Sequence, residues 1–191
     1  MVGPEVGQEA IKPIGLDMCG GRISSTGRRA AELSVLFLAG VLFTGFRSGV
    51  PGPWLDEGAT ILSAQRPWSS LLEMLGNIDA VHGLYYVMMH LWFDLVGYSP
   101  FTLRLPSVLA VAATAVILAR LGERLFSARA GLWTGFAYLV MPSATQYAVE
   151  GRSTALAACS VTLAVLFLVE GLHRQSTGWW FGYSLAIVLA V

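Results

Sequence analysis

Six apolar runs follow one another at 30–46, 84–96, 101–121, 130–147, 154–172 and 179–191. A helix needs about 20 apolar residues to cross the hydrocarbon core of a bilayer, where its backbone polar groups must be satisfied internally. The first, third, fourth and fifth runs approach or reach that length. The second and sixth do not. Charged residues make up 13% of the chain, against about 25% in a soluble domain. The expectation is an all-α, polytopic transmembrane helical bundle. Residues 1–29 are Gly-rich and polar and read as a disordered cytoplasmic tail. The run after it lacks a small-residue cleavage site, so it reads as a retained helix and not a signal peptide. Cys19 and Cys159 lie in that tail and in an apolar run, which predicts no disulfide and offers no metal-ligand cysteine spacing. The last run stops while still apolar, so residues 30–191 read as the N-terminal part of a longer membrane domain. Membrane lipids are the expected surroundings, and nucleic acid is not an expected partner.

Basic residues decide the topology, because they gather on the cytoplasmic side of short loops. Arg22, Arg28 and Arg29 precede the first run, which puts the N-terminus inside. Arg120, Arg124 and Arg129 follow the third run. They fall inside only if the second run lies flat in the interface. The first outer loop then covers about residues 47–100 and holds two interfacial helices, one over 58–75 interrupted at Pro67 and one over 83–96. The second outer loop is short, about 148–153. The fifth run returns inward and leaves His173 and Arg174 inside. On this arrangement the protein crosses the membrane several times with its working face outside, and a bacterial plasma membrane is its expected setting.

The outer face holds the candidate chemistry. Trp54-Leu55-Asp56-Glu57 places two carboxylates beside lipid, where a charge needs a partner, a metal or a proton. The plain alternative is that both serve the start of a helix. Asp79 and His82 stand in one loop and suit a metal, a phosphate or each other. His90 and Asp94, four apart, suit a pair along a helix. Arg104 opens the third run and either meets a phosphate or snorkels. Glu150 and Arg152 are held near two helix ends; they pair with each other or converge on Asp56. A carboxylate and an arginine facing one cavity suit transfer from a phosphate-linked donor. The carboxylate takes a proton from an acceptor hydroxyl, and the arginine stabilises the leaving phosphate. A divalent metal ion on Asp56 and His82 is a further expectation. A solute or lipid transporter would place ionisable groups near the midplane, and a non-catalytic fragment would only bind lipid-linked sugar; the charges here gather at one face.

The order of these motifs resembles a known family. Trp54-Leu55-Asp56-Glu57 is followed by Asp79-Ala80-Val81-His82-Gly83-Leu84-Tyr85-Tyr86, then Arg104-Leu105-Pro106-Ser107, Gly122-Glu123-Arg124-Leu125-Phe126, and Tyr147-Ala148-Val149-Glu150-Gly151-Arg152. From about residue 54 to 156 this resembles the GT-C membrane glycosyltransferases, in particular the protein-mannosyltransferase-like and aminoarabinose-transferase-like group (glycosyltransferase family 39-like). The resemblance implies inverting transfer of a sugar, mannose-like, from a polyprenyl-phosphate carrier to a lipid, glycan or protein acceptor on the extracytoplasmic face. It implies Asp56 as the catalytic carboxylate with Glu57 in support, Asp79 and His82 framing the acceptor or a metal, and Glu150 and Arg152 near the donor phosphate. Three places depart from the family's usual pattern. Gly58-Ala59-Thr60 replaces an aromatic, Gly83 stands in a stretch that usually holds Pro-Pro, and Thr154 stands where Tyr is frequent.

Overall fold

The computed structural model describes residues 18–46, 48–77 and 82–190, with the backbone alone for 18–25. Among them all regular structure is helical: α1 (Met18–Gly45), α2 (Leu55–Ala64), α3 (Trp68–Asn77), α4 (Gly83–Val96), α5 (Pro100–Leu125), α6 (Ala128–Leu139), α7 (Pro142–Ala148), α8 (Thr154–Arg174) and α9 (Thr177–Leu189). The chain divides into two units, 1–32 and 33–191. In the first, α1 begins at Met18 and so takes in residues 18–29 of the expected tail. Arg28 and Arg29 each reach Glu32 at 3.1 Å, pairs at helical spacing that support this turn.

In the second unit α5 is the central element. Val108, Val111, Ala112, Ala115 and Ala119 are all fully buried on it. α6 folds back along it with almost no side-chain cushion. A Cβ on Gly131 would lie 2.2 Å from the Ala119 carbonyl oxygen, and one on Gly135 would lie 2.7 Å from that of Ala115. Two glycines four apart are a common way for membrane helices to bring their backbones together.

The fourth apolar run does not form one helix. α6 ends at Leu139, Met141 is extended (ψ 131°) and Pro142 starts α7. Proline lacks an amide hydrogen and pushes its predecessor out of the helical region. The expected span over 130–147 is therefore an α6–α7 pair with a break. α8 then runs in the same direction as α5. Ser107 of α5 donates to the Glu150 carbonyl at 2.8 Å just before α8, and Arg124 near the end of α5 pairs with Glu170 near the end of α8.

Among the described residues two helices, α5 and α8, are long and apolar enough to cross a membrane. Large apolar side chains stand exposed around the bundle, among them Leu42, Phe43, Trp133, Phe136 and Val161. Such a surface suits lipid better than water.

Between α1 and α5 the described residues form three helices, each too short to span. The expected element over 58–75 is two helices, α2 and α3, separated at Gln65-Arg66-Pro67. α4 has the limits read from its apolar run. His90 ties α4 to the end of α2: its Nδ1 lies 2.8 Å from the Ala64 carbonyl oxygen, and its ring packs edge-on to Trp68 at 4.1 Å. Its Nε2 lies 3.5 Å from Asp94, as the spacing of four predicts. Leu71, Tyr85, Met89 and Leu103 close the cluster beneath.

Candidate active site

The acidic pair is split by the helix it begins. Trp54 precedes α2, so Asp56 and Glu57 both lie in the first turn, where the helix dipole favours negative charge. Consecutive helical residues point about 100° apart. Glu57 turns inward and is 1% exposed, while the Asp56 side chain is 66% exposed.

Glu57 meets Arg104 in a two-pronged bond, Nε to Oε1 at 2.8 Å and Nη2 to Oε2 at 2.7 Å. The two remaining acceptor positions on the carboxylate are also used. The Trp54 amide donates to Oε2 at 3.1 Å and the Gly151 amide to Oε1 at 2.7 Å. Burial pushes the Glu57 carboxyl up, but the Arg104 guanidinium and these two amides outweigh it and hold the group below its ordinary 4.5. Arg104 is as fully engaged. Its Nη1 donates to the carbonyls of Ser48 at 2.6 Å and Pro51 at 2.9 Å, and its Nη2 donates to that of Gly52 at 3.2 Å. A guanidinium has five N–H donors, and all five are used. Arg104 was expected at a phosphate or snorkelling to water. It does neither, being fully buried, and it organises the Gly49-Val50-Pro51-Gly52-Pro53 turn from inside.

The stretch Leu103-Arg104-Leu105-Pro106-Ser107 is a set of local fastenings. A Cβ on Gly151 would fall 2.5 Å from the Leu103 Cγ, so only glycine lets the second loop lie on that side chain. Pro106 cannot donate to the Thr102 carbonyl four residues back. The Trp92 indole of α4 donates to it instead at 2.9 Å. Ser107 fixes Glu150 through its backbone.

These fastenings bring Arg152 to Asp56. Arg152 Nη1 lies 2.7 Å from Asp56 Oδ2, the two side chains 38% and 66% exposed. This joins residues 96 apart in sequence and is open to solvent. Of the two alternatives for Arg152, the structure takes convergence on Asp56. Glu150 does not join them; its carboxylate accepts from Gln146 at 3.1 Å. His82 precedes α4 with Nδ1 3.4 Å from Ser153 Oγ, which puts the start of α4 beside the second loop. Asp79 lies outside the described residues. Among the described residues no group of three or more His, Cys, Asp or Glu is placed to hold a metal ion. Asp56 and His82 alone do not make such a site.

Sequence reasoning missed the part played by the Gly151 amide and by Ser107. Ser107 carried a signal, as a polar residue at the opening of a long apolar helix that must find a partner; the Gly151 amide carried none, since it acts through its backbone.

A family profile described as dolichyl-phosphate-mannose-protein mannosyltransferase matches residues 84–191, more than half of the chain, beginning after the acidic pair. No curated protein matches the chain, and no solved structure does.

Proposed function

This chain belongs to the dolichyl-phosphate-mannose-protein mannosyltransferase family, membrane glycosyltransferases of the GT-C type, and from that premise we propose that it transfers a mannose-like sugar from a polyprenyl-phosphate carrier to an acceptor hydroxyl on the extracytoplasmic face. The observation that carries the reading is the solvent-open Asp56–Arg152 pair at 2.7 Å, beside a Glu57–Arg104 pair whose hydrogen-bonding capacity is used up within the chain.

The roles follow from that division. A donor phosphate competes with Asp56 for Arg152, because a guanidinium binds a phosphate with two parallel bonds. The phosphate draws Arg152 away and frees the Asp56 carboxylate. Asp56 then takes the proton of the acceptor hydroxyl as its oxygen attacks the anomeric carbon. The bond from that carbon to the phosphate oxygen breaks, the electron pair leaves with the polyprenyl phosphate, and Arg152 stabilises the charge that develops. Attack opposite the leaving group inverts the anomeric centre. Glu57 and Arg104 stay out of the chemistry. They hold the two loops that present Asp56 and Arg152.

The test is sugar transfer in membranes expressing the protein, offered a panel of radiolabelled polyprenyl-phosphate sugars, wild type against Asp56→Asn. Loss of a general base typically lowers the rate about 10²–10⁴-fold. Transfer that persists in Asp56→Asn, with the protein inserted and folded, would remove Asp56 from the mechanism. Absence of transfer from every lipid-linked donor in the wild type would remove the reading as a whole.

A further inference from the structure

Tyr85 carries a hydroxyl with no hydrogen-bond partner among the described residues, and the oxygen is buried. The residue as a whole is 7% exposed. A phenol sealed without a partner is destabilising, so native structures rarely keep one without a use. Tyr85 lies in the first turn of α4, in the same cluster as Leu103, and Leu103 is the side chain on which Gly151 rests. His82, one turn before it, touches Ser153, and its ring lies 6.1 Å from that of Tyr86. Tyr85 therefore belongs to the cluster on which the second loop, and with it the backbone of Arg152, rests. Burial first, and then the nearby Glu57 charge, hold its hydroxyl strongly in the protonated form, with Arg152 opposing. It can donate a hydrogen bond to an acceptor while staying neutral itself.

We propose that the Tyr85 hydroxyl is a binding group for the anionic end of the lipid-linked donor, donating to a phosphate oxygen held by Arg152. This rests on the donor site proposed above and adds to it a neutral donor beneath the arginine. The hydroxyl is closed off and Arg152 lies on Asp56. When a phosphate takes Arg152 from Asp56, the hydroxyl gains its missing partner. The arrangement favours a phosphate over the corresponding alcohol twice, by charge at Arg152 and by a directed hydrogen bond at Tyr85.

The probe is a pair of polyprenols of equal chain length, one phosphorylated and one not, binding to the purified protein in lipid nanodiscs. Wild type, Tyr85→Phe and Arg152→Gln are compared, and thermal unfolding is followed alongside. The wild type is expected to prefer the phosphate, and Tyr85→Phe to bind it about tenfold or more weakly with alcohol binding unchanged. Its unfolding temperature should hold or rise, since an unpartnered polar group is removed. A wild type that prefers the phosphate, with Tyr85→Phe binding it equally well, overturns the role of Tyr85 and leaves the donor site standing. A wild type with no preference for the phosphate overturns the donor site and the role of Tyr85 with it.

Discussion

Arg104 and Glu57 exhaust one another. Two bonds of 2.8 and 2.7 Å join them, and every remaining donor and acceptor is taken by the turn at 48–52, the start of α2 or the Gly151 amide. Three segments far apart in the chain thus meet on two side chains.

Breaking this pair removes one charge and strands the other. Arg104→Met or Glu57→Gln is expected to destabilise the protein by about 3–5 kcal/mol, the usual cost of leaving a buried ion unpaired. Arg104→Lys should fare little better, since an ammonium cannot supply the fork. Thermal unfolding in detergent measures this. The double variant Glu57→Gln/Arg104→Met should be less damaging than the sum of the singles. Additive losses would mean the two act independently.

The same pair sets an acid limit. The folded-state value of Glu57 lies below the ordinary 4.5. A carboxyl depressed on folding contributes stability in full above its unfolded value and loses it as pH falls from about 4.5 through the folded value. Stability measured from pH 6 down to pH 3 should therefore drop, and the drop should be shallower in Glu57→Gln. An identical acid limb in both would assign the loss to other groups.

Gly151→Ala is expected to cost about 1–3 kcal/mol and to lower transfer, because the new methyl meets Leu103 and displaces the loop carrying Arg152. Leu103→Ala in the same chain should recover part of both losses, although alone it opens a cavity. If Gly151→Ala behaves as wild type, the packing of the loop on Leu103 does not set Arg152.

Orientation is open to chemical labelling. In a background without Cys19 and Cys159, a single cysteine at Gly58 is expected to react with an impermeant thiol reagent from outside, and one at Ser127 only after permeabilisation. Equal outside labelling at both would place the α5–α6 turn on the Asp56 side and undo the proposed topology.

The helices were legible where hydrophobic pattern and punctuation agree. The limits of α4, the break at Pro67 and the long α5 all follow from apolar runs bounded by turn residues. The interruption at Pro142 was equally written in the chain, but the apolar run on both sides concealed it. Helix pattern alone does not say which of two adjacent acids turns inward. For Asp56 and Glu57 that was decided by Arg104, 47 residues away from Glu57, and such pairings are set by tertiary packing. Arg104 looked like a phosphate ligand because an arginine at the end of a membrane helix usually reaches water or an anion. The carbonyls of the Pro-Gly turn that satisfy it carry no side-chain signal. The meeting of Asp56 with Arg152 was foreseen only as one of two alternatives.

α5 also fixes a length. Its two ends are anchored by arginines that each hold a carboxylate from elsewhere, Arg104 with Glu57 and Arg124 with Glu170. Twenty residues of helix between them rise about 30 Å, which is the thickness of a typical hydrocarbon core. A helix pinned in this way cannot lengthen its apolar stretch by letting an end slide into lipid. In a thinner bilayer it must tilt or thicken the lipid around it, and in a thicker one the lipid must thin to match it.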